Sequence, residues 1–241
     1  MSRRWRVFHD PPIVVGDSLE LGSDQAHHAR SVLRLQADDE VLVFDGEGGE
    51  WMARIETLTK REVRVRVGEP AADASVDPSF SIELFQALCR QDRLEWLLQK
   101  GCELGLQGIH LYPAKRGEGP PLTRSRLDRW RRVLIESCKQ SGRRRLPILG
   151  SIERLPDVPG GVIAFLADPR QAMPLIARLG QPRPDACWVA VGPESGLDDA
   201  ELDDAVSRGW QPVSLGPRVL RTETAGLVAT AVIQSCWGDL A

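Results

Sequence analysis

The sequence predicts an α/β domain with a largely parallel sheet, preceded by a small β-rich unit. Three observations carry this expectation. Beyond residue 80, apolar strand-like runs alternate with amphipathic helical segments, as they do where helices cross between parallel strands. Before residue 70, short runs alternate apolar and polar residues with the period of half-buried strands. Between them, residues 69–79 (EPAADASVDPS) hold two prolines and few large apolar residues, the composition of a linker.

In chain order, residues 27–35 read as a short helix with Val32, Leu33 and Leu35 inward. Residues 41–44 and 51–55 flank Asp-Gly-Glu-Gly-Gly, a turn-rich hairpin connection. Val63, Val65 and Val67 then alternate with Arg64 and Arg66, after a turn at Lys60 and Arg61. Residues 81–88 form the next strand. Asp92 and Glu95 have capping-box spacing for a helix that buries Leu94, Leu97, Leu98 and Cys102 and stops at Gly105. Trp96 reads as a core or helix-packing residue. After a strand at 109–112 comes a long helix over 123–142, with Ser125 and Asp128 as caps and Leu127, Trp130, Leu134 and Cys138 on one face. Strands follow at 162–167, 187–191 and 212–215. A helix over 198–208 carries its own capping box (Asp198, Glu201) and buries Leu202, Ala205 and Val206. Residues 222–237 close the chain as a helix whose Ala225, Ala229 and Ala231 let a neighbour approach closely.

Composition narrows the function. With 42% hydrophobic and 27% charged residues the chain has the make-up of an ordinary globular protein. No apolar run nears the ~20 residues that span a bilayer, and MSRRWRVFHDPP has no apolar core of a signal peptide. Five scattered cysteines without a C-x-x-C pair argue against a disulfide framework and a zinc site, and favour a reduced, cytoplasmic setting. No metal is expected. Net charge is only −3, yet residues 115–145 hold eleven Lys or Arg against three acids. Such asymmetry suits a protein that turns one face to phosphates; a solvated, arginine-rich helix is the alternative. Arg143, Arg144 and Arg145 exceed what helix capping needs, and they are read as phosphate contacts together with Arg129 and Arg132. Arg3, Arg30 and Arg34 give the β-rich unit basic groups that could meet RNA.

No G-x-G-x-x-G follows a predicted strand, and no P-loop, H-E-x-x-H or G-x-S-x-G motif is present. What remains is three strand ends near Ala167, Gly192 and Gly216. Two of them run into Gly-Pro: VAVGPESGL (189–197) and LGPRVLRTETAGL (215–227). A glycine at a strand end lets a ligand approach the backbone, and open α/β sheets place ligands at such edges. Ordinary strand-to-helix turns are the alternative for either loop alone.

GPESG followed by SLGPRVLRTETAGL resembles the C-terminal signature of the RsmE family, the 16S rRNA (uracil-N3) methyltransferases of the SPOUT class. HHARSVLRLQADDEVLVFDGEGGEWMARI, RLEWLLQKGCELGLQGI and RWRRVLIESCKQSGRRRLP resemble the same family, in its order; Ser195 and Leu197 stand where family members usually carry glycine and often phenylalanine. The resemblance implies a PUA-like β-barrel at 1–70 as an RNA-binding accessory, a linker at 71–79, and a SPOUT domain at 80–241 with a C-terminal trefoil knot. It implies a homodimer acting on the small ribosomal subunit, with S-adenosylmethionine as cofactor held by the three loops. Leu166, Leu215, Val219 and Leu220 could sandwich its adenine, with Ala167, Pro193 and the backbone of Gly192, Gly196 and Gly216 around it. Glu194 either meets ribose hydroxyls or the surroundings of the sulfonium, or is a surface acid. Uracil N3 attacks only after losing its proton. Arg218 and Arg221, the latter also a cofactor contact, are candidates to stabilise the anion. Glu223 is a candidate base, or a helix-start cap with Thr222.

Overall fold

The computed structural model of the chain describes every residue except 1–4, 33–34, 60–61, 73–74, 118, 120, 171–172, 181 and 241. By contact the chain divides into two compact units: residues 1–77 with 138–146, and residues 78–137 with 147–241.

The first unit is built on a five-stranded mixed sheet in the order β1-β3-β4-β5-β2. Its strands are β1 (Trp5–Phe8), β2 (Ser18–Glu20), β3 (Glu40–Phe44), β4 (Glu50–Leu58) and β5 (Val63–Pro70). Valine alternation in β5 puts Val63, Val65 and Val67 on one face, where they meet Val41, Val43, Ala53 and Ile55 in a buried cluster. Helical structure starts earlier than the sequence suggests, with α1 at Ser23–His27 and one wide turn over His28–Val32. Gln25 explains the early start: its amide both accepts from the Phe8 N–H (2.7 Å) and donates to the Phe8 carbonyl (2.5 Å).

The second unit holds a six-stranded, all-parallel sheet in the order β11-β9-β10-β6-β7-β8. Its strands are β6 (Ser81–Ala87), β7 (Gly108–Tyr112), β8 (Ile148–Ser151), β9 (Val162–Ala167), β10 (Ala186–Val191) and β11 (Gln211–Val213). β8 is a short edge strand that the sequence did not announce. β11 stops two residues before the expected end because Ser214 turns to exchange backbone hydrogen bonds with residues 173–175.

The helices are α2 (Gln91–Glu103), α3 (Arg124–Ser141), α4 (Asp199–Ser207) and α5 (Thr222–Trp237). α4 has the expected box: the Glu201 N–H donates to Asp198 at 2.8 Å and the Asp198 N–H to Glu201 at 2.9 Å. α2 does not. Its cap position is Arg90, two residues earlier than the Asp92–Glu95 spacing requires, so Asp92 lies inside the first turn and pairs with Arg90. Glu95 instead accepts from Gln91 and Arg129. Leu94, Leu97, Leu98 and Cys102 are buried as expected, whereas Trp96 is 44% exposed, and so is Val206 of α4 at 47%. In α5, a Cβ at Gly226 would lie 3.0 Å from Leu84 of β6, so a glycine lets this helix settle on the sheet.

A cleft at three strand ends

All six strands of the second unit run the same way, so the loops after neighbouring β9, β10 and β11 emerge on one edge of the sheet. Together they line a single cleft of about 490 Å³. From the first loop come Ala167 and Asp168–Arg170. Asp168 is only 7% exposed, and it accepts from the Arg170 backbone N–H (2.9 Å) and guanidinium (2.9 Å). That pairing raises the Arg170 pKa further above its ordinary value.

The second loop contributes Gly192, Pro193, Glu194 and Gly196. It is closed by a Gly196 N–H to Pro193 carbonyl bond of 2.9 Å and by φ of +73° at Gly196. A Cβ on Gly192 would sit 3.1 Å from the Leu197 side chain, which would have to give by a few tenths of an ångström. The Thr222 hydroxyl donates to the Gly192 carbonyl at 2.6 Å and accepts from Gln86 at 2.7 Å, tying the start of α5 to two strands.

The third loop brings Leu215, Gly216, Val219, Leu220 and Arg221. Gly216 has φ of +106°, a conformation that disfavours any other residue, and nothing lies within 4 Å of where its Cβ would point. Val219 is 82% exposed, an apolar surface without protein cover.

Of the eleven residues expected around a cofactor, ten line this cleft. Leu166 does not: it is fully buried in β9 and packs with Phe85, Ala190 and Trp210 in the core, because alternation along the strand puts it, with Ala164, on a covered face of the sheet. Arg218 and Arg221 line the cleft and are exposed. Glu223 is not among its lining residues. The carboxylate is buried, with Oε1 3.9 Å from Arg93 and Oε2 without a hydrogen-bond partner. Sequence reasoning missed Arg116, Asp168 and Arg170 as lining residues. With them the rim carries four arginines (116, 170, 218 and 221) against two acids (Asp168 and Glu194).

The residues expected to touch RNA separate into three groups. Arg3 and Arg34 lie outside the described residues. Arg129 and Arg132 are exposed on α3 and, with Gln91, Thr123, Ser125 and Arg126, line an open depression of about 520 Å³. Arg129 also pairs with Glu95 at 2.8 Å, and Arg30, in the first unit, donates to the Thr59 carbonyl.

The reading of Arg143 and Arg144 as exposed phosphate contacts is corrected. The Arg143 side chain is 4% exposed and 3.7 Å from Asp77, and that of Arg144 is 12% exposed and 3.0 Å from Glu50. Glu50, itself 5% exposed, also holds Arg6 at 2.6 Å. Glu50 and Asp77 have therefore claimed both cations. Arg145 stays exposed, with its backbone N–H on Asp77 and its guanidinium against Gly48.

Two family models match the chain. Residues 76–234 match the family model described as an RNA methyltransferase domain, and residues 21–68 match the one described as an RNA methyltransferase PUA domain. The fold is thus that of an RNA methyltransferase domain with an RNA methyltransferase PUA domain.

The ribosomal RNA small subunit methyltransferase E of Synechocystis sp. is 30% identical over 96% of this chain and 77% of its own length; that of Bacillus subtilis is 26% identical over 97% and 96%. A ribosomal RNA small subunit methyltransferase E from Neisseria gonorrhoeae, solved bound to S-adenosyl methionine, superposes with a TM-score of 0.87 at 31% identity, covering 99% of this chain and 100% of the other. A Legionella pneumophila methyltransferase solved with its cofactor SAM gives 0.88 at 29% identity, with the same coverage. The chain belongs to the RsmE family.

Proposed function

We propose that this protein transfers the methyl group of S-adenosylmethionine to N3 of a uridine in 16S rRNA. The observation that carries the reading is the meeting of three strand-end loops in one cleft. The cleft fits the cofactor. Its volume suits a nucleoside-sized ligand, Leu215, Val219 and Leu220 offer apolar faces to a planar base, and the uncovered space over Gly216 lets that base reach the backbone. When bound, S-adenosylmethionine supplies an electrophilic methyl on a sulfonium. The chain's own residues do the rest by positioning and charge. Arg218 and Arg221 stand at the rim, where a guanidinium stabilises negative charge developing on a uracil carbonyl oxygen. Glu223, outside the cleft lining and buried, is not assigned the proton. The target base is unpaired, because N3 is engaged in Watson–Crick pairs.

In this reading residues 1–70 are the PUA-like RNA-binding accessory, 71–79 the linker, and 80–241 the SPOUT domain with its C-terminal trefoil knot. The enzyme works in the cytoplasm as a homodimer on the small ribosomal subunit. Arg129 and Arg132 meet RNA phosphates from the open depression on α3. The test has two arms. Calorimetry with S-adenosylmethionine is expected to give saturable binding. Loss of N3-methyluridine from 16S rRNA in a deletion strain, restored by the intact gene, is expected in the second. Methylation persisting at every N3 site would end the assignment.

A further inference from the structure

We infer that Arg93 is a positioning residue that holds the Glu194 carboxylate at the cleft, anchored from behind by the buried Glu223. This rests on the reading that the cleft receives the methyl donor. Arg93 is the third residue of α2, on neither the cleft-lining loops nor α5, yet its guanidinium faces both. Its Nη1 is 2.8 Å from Glu194 Oε1 and its Nε is 3.9 Å from Glu223 Oε1. The three side chains grade in exposure in the order the inference needs: Glu194 33%, Arg93 25%, Glu223 8%.

Glu194 lines the cleft and the other two do not. Glu223 has one oxygen buried without a hydrogen-bond partner, and the nearby guanidinium is its counter-ion. Among the described residues, the ion pairs of both acids are with Arg93. Cys89, close to the same acids, adds no charge of its own: burial first, then Glu194 and Glu223, push its thiol up to about 12.

Without Arg93, Glu194 is a free side chain on a loop and must be ordered each time a ligand binds. With it, the carboxylate is already set to accept a hydrogen bond from a hydroxyl or ammonium group of the methyl donor.

The test measures S-adenosylmethionine affinity by calorimetry on the full chain. Arg93→Ala alone strips Glu223 of its counter-ion, so it is combined with Glu223→Gln, which leaves no buried charge. The double variant is expected to bind about tenfold more weakly, with its melting temperature nearly unchanged, while Arg93→Lys stays within about threefold of the parent. In a Glu194→Gln background the same double change is expected to cost less than twofold, because the residue it acts through is already disabled. Wild-type affinity in the double variant, or losses that multiply with Glu194→Gln, would overturn the inference. If the parent protein itself binds no S-adenosylmethionine, the cleft reading fails first and takes this one with it.

Discussion

Arginine serves opposite ends in two clusters, one in each unit. In the first, Arg6, Arg143 and Arg144 are almost wholly buried and matched to Glu50 and Asp77. In the second, Arg218 and Arg221 stand exposed at the cleft and Arg129 and Arg132 on the surface of α3. The residue type is the same; the surroundings decide. A guanidinium beside a buried carboxylate is committed to folding, because separating the pair leaves a charge that water cannot reach. One at a rim loses little by exchanging water for a phosphate or a carbonyl oxygen.

The sharpest way to break this contrast is Glu50→Ala. It leaves Arg6 and Arg144 uncompensated, and chemical denaturation is expected to show a loss of about 3–5 kcal/mol. A loss under about 1 kcal/mol would mean that water reaches the network after all. Next is Gly216→Val. A β-branched residue at that φ costs about 1–3 kcal/mol of strain, so S-adenosylmethionine affinity is expected to fall at least tenfold while RNA affinity changes little.

Arg129→Ala with Arg132→Ala is expected to weaken binding of a 16S rRNA fragment and to lower the slope of log K against log salt by roughly 1.5, since each phosphate contact contributes about 0.7–0.9. Arg144→Ala should leave that slope alone and lower stability instead. Equal slopes in the two variants would erase the distinction between the clusters.

The smallest effect belongs to a partly buried acid, Asp198. The Glu201 N–H and Lys115 hold the Asp198 carboxyl below its usual range. A depressed carboxylate stabilises the fold above its ordinary pKa and stops doing so as pH falls through the lowered one. Asp198→Ala should therefore lower the melting temperature slightly at pH 7, and the gap to the parent should close below about pH 4.

Much of the second unit was readable from pattern. The apolar runs at 162–167 and 187–191, the capping box of α4 and the Gly-Pro strand ends are local signals, and parallel pairing then brings the loops together. What misled was non-local. Three arginines after a helix look like a phosphate grip until Glu50 and Asp77, far away in sequence, come to meet them. Leu166 looked like a cofactor contact because it is one residue from the strand end, and the alternation of the strand turned it inward. Asp92 had the right spacing for a cap, but the chain began to coil at Gln91. No sequence rule places Arg93 between Glu194 and Glu223 either, since those partners come from a loop and a helix more than a hundred residues away.

Residues 138–146 belong to the compact unit otherwise made of residues 1–77. On a translating ribosome the amino-terminal part must therefore wait, with Asp77 unmatched and Glu50 paired with Arg6 alone, until Arg143 and Arg144 have been polymerised and leave the exit tunnel. Its final consolidation is a late event in biosynthesis, although its first strand is made at the beginning.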